Sequence, residues 1–422
     1  MMQTHLAFGR SGITLQLPDG PRYMLAHTRT AAALAEPRSE IENALSRPVA
    51  GPSLREVAAG KQTAAIAVCD ITRPAPNTTT LPPVLRHLHS VGIPVEGICI
   101  LIATGLHRAA TEAEIQSIVG PDIASRYRVL NHDARERAQH RWLGVTRRDT
   151  PVYIDERFLS ADLHLTLGLI EPHLMLGFSG GRKLIAPGVA AQETIKVIHS
   201  PRFMREPMAT EGETEENPLH AELLEMAAMA RHDFMLDVTL TPSREISGVF
   251  AGAAVEAHAA GVRFLKETSV NRLPERADLV ITSAAGYPLD LTFYQTIKGV
   301  TAAQHVAKPG GRILVLGECS EGIGSAEFAR KLEAYAGHQQ YLDEIRHTSV
   351  EVDQWQLEKL ALVGLNHELF FYTPGVTRRQ IGSLGEHHYT DVNEAIAAAT
   401  AGLPPDARIA LIPEGPYTYA RV

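Results

Sequence analysis

Strand-length apolar runs alternate with helical patterns along most of this chain, and that rhythm constrains the fold more than any other feature. Runs at 64–70, 97–103 and 127–130 are separated by a polar helical pattern at 77–91 and a second one at 111–119. Strands joined through helices predict a mostly parallel sheet covered on both faces, the α/β class. Further strands are expected at 161–169, 233–240 and 246–250, with helices near 190–199, 218–230 and 253–268. Thr111 with Glu114 three residues on is a capping-box pattern that starts a helix there.

The rhythm breaks in a polar stretch at 271–276 that contains Pro274, then begins again with strands at 277–283, 311–316, 368–372 and 407–412. Helices are expected at 292–307, from 326 and at 391–400. At 422 residues the chain has room for two or three domains. The break predicts two: 1–272 and 275–407, with a tail 408–422 that packs back on the first.

Charge excludes some functions. Forty Lys and Arg against 48 Asp and Glu leave a formal net charge of −8, so no cationic surplus exists to displace counterions from a nucleic acid backbone. No apolar stretch reaches the roughly 18 residues of a membrane helix, and the N-terminus has no secretory pattern. Cys69, Cys99 and Cys319 each lie in or at the end of an apolar run and read as small core residues rather than a bridge framework. A reducing cytoplasm is the expected location.

In open α/β sheets ligands bind beyond the C-terminal strand ends, so the residues after each run are the informative ones. After the run at 64–69 come Asp70, Thr72 and Arg73 beside Pro74 and Pro76, a stiff polar turn suited to an anion or a sugar hydroxyl. The plain alternative there is a helix start with Asn77 as its cap. After 98–103, Gly105 lets the backbone turn and puts His107 at a strand tip, where a general base belongs.

After 163–170 comes the densest segment: Glu171-Pro172-His173, then Gly177-Phe178-Ser179-Gly180-Gly181-Arg182-Lys183. Its glycines, serine and cations describe a loop able to turn backbone N–H groups onto a phosphate, though it is no Walker loop, since Leu184 follows the lysine. His199 ends the following helix, either as a partner for free carbonyls or as a single-imidazole metal ligand. Gln295 and Lys298, three apart on one helix, can jointly hold a carboxylate. His87 and His89 fall in an amphipathic helix and His387 and His388 in a polar loop, and no His-Glu-x-x-His or paired Cys-x-x-Cys marks a zinc site.

Together, Asp70-Ile71-Thr72-Arg73-Pro74, Gly105-Leu106-His107-Arg108, Asn131-His132-Asp133, Glu171-Pro172-His173 with the glycine loop and Lys183, His199-Ser200-Pro201 and Tyr294 to Lys298 resemble the nickel-dependent lactate racemase family. The resemblance spans most of the chain in order. It implies two α/β domains with the site in the cleft between them. It also implies nickel held in a pyridinium-3,5-dithio mononucleotide, a pincer nucleotide attached covalently to Lys183, with His199 as the protein ligand. Carried over in the same way, His107 and His173 are the acid/base pair, and Gln295 and Lys298 bind the substrate carboxylate. Arg73 and Trp355 line the substrate pocket, while Asp70, Thr72, Ser179, Gly180 and Gly181 lie toward the cofactor. Cofactor-building enzymes are implied as partners, and a homodimer is compatible with the sequence but unsupported by it.

The implied reaction interconverts the enantiomers of a small 2-hydroxy acid such as lactate or malate. Its α-C–H is too weakly acidic for an imidazole to deprotonate, so hydride leaves the carbon while a base takes the hydroxyl proton. A planar 2-keto acid results, and inversion then needs two bases of matched pKa, about 6.5 for free imidazole. Leu174 or Met175 can offer a nook for a methyl group, whereas a diacid needs a further cation from Arg108, Arg182 or Arg202. Two alternatives use the same residues: a zinc hydrolase built on His107, His173 and His199, and a nickel or nucleotide carrier with no role for the histidine pair.

Overall fold

The structure is a computed structural model that describes residues 2–422. Two six-stranded sheets organise it. The first runs in the order Ile246–Gly252, Phe234–Leu240, Leu163–Leu169, Ala64–Cys69, Ile98–Ala103, Arg128–Asn131. All its neighbours are parallel except the first pair, an antiparallel edge. Ala64–Cys69 and Leu163–Leu169 are buried at every position, which is why they read as unbroken apolar runs rather than as alternation.

Chain order reverses at the centre of this sheet. From Ala64–Cys69 the chain steps to Ile98–Ala103 and outward, then returns to add Leu163–Leu169 on the other side. The crevice beyond the C-terminal ends of these strands is the switch point where an open α/β sheet receives ligands. Asp70, His107 and His173 all follow strands that end there.

The second sheet is parallel throughout, in the order His388–Tyr389, Glu368–Tyr372, Ala307–Leu316, Ala277–Ser283, Arg408–Ile412, Arg22–Leu25. Here the expected division needs correction at the N-terminus. The strand Arg22–Leu25 pairs with Arg408–Ile412, and the hairpin Met2–Leu6 with Ile13–Leu17 buries Leu6, Leu15 and Leu17 against Leu279, Ile281 and Leu411. These first residues therefore pack on the second sheet, not the first. Likewise Arg408–Ile412 lies inside the second sheet; only the residues after it turn back, with Ala420–Arg421 pairing to Asn271–Arg272 and Tyr419 meeting Phe178.

Local expectations fare differently. Thr111 caps its helix, accepting from Glu114 N at 3.3 Å while the Glu114 carboxylate accepts from Thr111 N at 2.8 Å. Asn77 is not a cap: Pro76 holds that position and Asn77 opens the helix Asn77–Ser90. His388 sits in a short edge strand rather than a loop. The cysteines are unbridged, with Cys69 and Cys319 buried. Among the described residues no helix is long and apolar enough to cross a membrane.

Candidate active site

One cavity at the switch point gathers the residues singled out from sequence. Asp70, Thr72, Arg73, His107, His173, Ser179, Gly180, Lys183 and His199 line it from the first unit, and Gln295, Lys298 and Trp355 from elements packed on the second sheet. Gly181 does not reach it; its N–H donates instead to Asp237 Oδ2 at 2.7 Å, beneath the loop.

The glycine loop departs from the expected anion cradle. The N–H groups of Ser179, Gly181 and Lys183 are bonded within the protein, to the Glu171 carbonyl, the Asp237 carboxylate and the Gly180 carbonyl. Inside the loop lies the buried Arg182, whose guanidinium donates to the carbonyls of Leu176, Phe178, Ser179 and Gly180 at 2.9–3.3 Å. The carbonyls turn inward to a cation, so the loop wraps its own arginine. Gly180, at φ +85, has no room for a Cβ, which would stand 2.3 Å from Asp237 Oδ2. The loop's consequence is to deliver the next side chain, Lys183, into the cavity.

The two histidines are built by unlike means. His107 Nδ1 lies 2.7 Å from Asp70 Oδ2, and the other oxygen of that carboxylate accepts from the Thr72 hydroxyl at 2.7 Å. Burial alone would raise the Asp70 pKa, but His107, Thr72 and Arg73 bring it down to about 2. A carboxylate on Nδ1 fixes the proton there and leaves Nε2 with its lone pair. His173 has no carboxylate partner: its Nδ1 accepts from the backbone N–H groups of Met175 and Leu176 at 3.4 and 3.3 Å, so in the neutral ring the proton sits on Nε2. Burial and then the charges of Lys183, Arg73 and Lys298 hold its pKa well below the usual imidazole value.

The amines are perturbed in the same direction. Burial, then Arg73 and Lys298, depress Lys183 well below an ordinary lysine, the direction that favours an amine as nucleophile. Lys298, pushed to about 7 by burial and Arg73, stands with Gln295 on the helix Phe293–Ala303. The Gln295 side-chain oxygen is buried without a protein partner, so that amide has bonding capacity to offer a ligand.

His199 Nδ1 is 2.8 Å from the Ile195 carbonyl, an acceptor only, so Nε2 carries the lone pair. Burial depresses its pKa to about 4, which keeps it unprotonated. A neutral imidazole fixed by a backbone carbonyl is the usual form of a metal-ligating histidine. With the Lys183 amine on the same cavity, the donor set fits a covalently tethered, nickel-bearing nucleotide.

A second group of metal-type donors, His132, His140 and Asp155, does not line this cavity. There Asp155 is taken by Arg157, whose Nε donates to Oδ1 at 2.9 Å, and by His132 Nδ1 at 3.0 Å. With the Thr104 hydroxyl donating to the His132 carbonyl at 2.7 Å, this ion pair braces the strand tip that carries Gly105 and His107.

Sequence reading passed over Tyr294 and Asp353 as site residues. Both line the cavity, and the Tyr294 hydroxyl accepts from Trp355 Nε1 at 3.0 Å. Tyr294 stands one turn before Lys298 on the same helix, and that i, i+4 spacing was the available signal.

Fold and site together define a two-unit α/β enzyme whose cavity joins imidazoles and an amine at one sheet's switch point to the helix Phe293–Ala303 of the other. Residues 8–212 match the lactate racemase N-terminal domain family and residues 273–417 the lactate racemase C-terminal domain family. A lactate racemase of Thermoanaerobacterium thermosaccharolyticum is 32% identical over 427 residues, covering 100% of both chains. One from Lactiplantibacillus plantarum is 32% identical over 98% of this chain and 99% of its own. The solved lactate racemase apoprotein of the former organism superposes with a TM-score of 0.91 at 30% identity, covering all of both chains. A Thermotoga maritima protein shares the fold, with a TM-score of 0.69 at 17% identity over 91% of this chain and 97% of its own. The chain belongs to the lactate racemase family, a family of isomerases.

Proposed function

We propose that this chain racemises lactate, with His107 and His173 as alternating acid and base and Gln295 and Lys298 as the carboxylate clamp. The observation that carries the reading is the meeting of two imidazoles, from loops after two different strands, with an amine and an amide from the other unit on one cavity wall. The proposed cofactor is the nickel pincer nucleotide, held by Lys183 and His199; when bound, such a group supplies a reversible acceptor for the α-hydride, so that a planar 2-keto acid connects the enantiomers.

The remaining tasks fall to this chain's side chains. Asp70, bonded to Thr72 and to His107, orients that imidazole so that Nε2 can take the hydroxyl proton. His173 presents an N–H, ready to return a proton to the carbonyl oxygen. Two of the groups that depress its basicity would change in use: covalent attachment of the cofactor at Lys183 would remove that amine's charge, and a bound carboxylate would compensate Lys298. Both changes would raise the His173 pKa from its depressed value.

The lining supports lactate over a diacid. Among the described residues the one arginine that borders the cavity, Arg73, lies 3.4 Å from Glu171, while Arg108 pairs with Glu114, Arg182 is enclosed by the glycine loop and Arg202 bonds Thr150. Leu174, Met175, Leu219 and Leu223 do border it, and they suit a methyl group. Coexpression with the cofactor-building enzymes is expected to add the cofactor's mass and one nickel per chain, both lost in Lys183→Ala. A loaded protein that leaves optically pure lactate unchanged overturns the assignment.

A further inference from the structure

The helix Gln354–Gly364 is buried almost all round although it carries Gln354, Gln356 and Glu358, of which the last is 0% exposed. Trp355 belongs to the apolar cluster of the first unit, whereas Leu357, Leu360, Ala361 and Val363 belong to that of the second. One helix thus contributes to two cores. Its charged residues reach across the seam between them. Arg205 Nε donates to Glu358 Oε1 at 2.7 Å, and Arg205 Nη2 donates to the Leu342 carbonyl at 2.6 Å. Lys359 Nζ donates to the carbonyls of Met204 and Ala209 at 2.8 and 3.2 Å.

These anchors lie at both ends of the site's wall. Met204 and Arg205 end the short helix Pro201–Met204, which begins two residues after His199. One turn before Glu358, the Trp355 ring packs 4.5 Å from the His199 ring, centroid to centroid. Gln356 Nε2 donates to the Tyr294 carbonyl at 2.8 Å, on the helix that carries Gln295 and Lys298. The segment that holds His199 and the helix that holds the carboxylate clamp are therefore tied to the same two turns of chain. An exposed ion pair would contribute little here. A buried pair behaves differently, because removing one member strands the other without water or countercharge.

We infer that Arg205, Glu358 and Lys359 form an interunit clasp, positioning residues that seat Trp355 on His199 and fix the carboxylate-binding helix relative to the two imidazoles. None touches the substrate; they act through Trp355 and Tyr294. The inference rests on the racemase reading for its link to turnover, but its structural part does not.

The test uses the chain's own reporter. Trp355 is buried, at 5% exposure, and the other tryptophan, Trp142, is 47% exposed, so Trp142→Phe leaves Trp355 as the sole emitter. In that background Glu358→Gln and Lys359→Met are expected to shift Trp355 emission to the red and raise its acrylamide quenching several-fold, with far-UV circular dichroism unchanged. Loaded enzyme should lose about 10–100-fold in kcat/KM, mostly through KM, and Arg205→Lys, which keeps the charge but loses the forked donor, should fall between. Unchanged emission and quenching in folded Glu358→Gln and Lys359→Met overturn the clasp. If those variants do not fold, Arg205→Lys carries the same readout with the same two outcomes. The fluorescence arm needs no cofactor, so its failure is distinct from a failure of racemisation in the unmodified chain.

Discussion

The loop after Ile98–Ala103 and the loop after Leu163–Leu169 deliver the same side chain to the same cavity, yet they prepare it in opposite ways. His107 is half-exposed, leans on a buried carboxylate and turns a lone pair outward. His173 is buried among cations, leans on two backbone N–H groups and turns an N–H outward. The difference teaches that a racemase site need not be a mirror. Enantiomers have equal free energy, so thermodynamics requires only that kcat/KM be the same in both directions. The individual kcat and KM values are free to differ, and an asymmetric pair of imidazoles predicts that they do.

That comparison breaks most decisively by removing one member. His107→Asn and His173→Asn are each expected to lower racemisation by about 10²–10⁴-fold, the usual worth of a positioned acid or base. Polarimetry from each pure enantiomer checks this. Loss in one direction only would violate detailed balance and point to a contaminant. Loss in neither would remove the residue from the mechanism.

A smaller effect separates the two sides. Asp70→Asn keeps the shape of the turn but takes the charge from His107, and we expect about a 10²-fold fall in kcat/KM. His173 has no such partner to lose. An unchanged kcat/KM in Asp70→Asn would show that the carboxylate does not prepare this imidazole.

Smaller again is the response of the clamp to pH. Lys298 sits near 7, so its ammonium is present below that value and is lost above it. Substrate affinity should therefore weaken as pH rises through about 7, by up to about tenfold per unit, and Lys298→Met should flatten that slope. A KM independent of pH from 6 to 9 would exclude Lys298 as the charge that binds carboxylate. The least effect is expected from Thr111→Ala, which removes the capping box beside the His107 loop: about 1 kcal/mol of stability in a denaturant titration, with kcat unchanged.

The sequence was legible wherever burial is two-sided or a motif is local. Central strands such as Ala64–Cys69 have both faces covered, so hydrophobicity alone marks them. The loops that follow them hold most of the site. What escaped was structure whose signal is mixed by its surroundings. Arg22–Leu25 is a four-residue edge strand with no buried position, too short and polar to distinguish from a loop, and missing it misplaced the N-terminal segment. The helix Gln354–Gly364 lacks a clear apolar stripe because its polar residues are buried at the seam and its apolar ones serve two cores. The glycine loop was legible as a loop but not in its orientation, since nothing in the order Gly-Gly-Arg-Lys says that the arginine will point inward and gather the carbonyls.

The account stands on proton transfer at oxygen by His107 and His173 while the α-hydrogen moves as hydride. Racemisation of optically pure 2-deuterated lactate by the loaded enzyme in ordinary water, followed by mass analysis of both enantiomers, tests it directly. We expect rotation to decay to zero with deuterium retained at C2 in both products; decay accompanied by exchange of that deuterium for solvent hydrogen would contradict it.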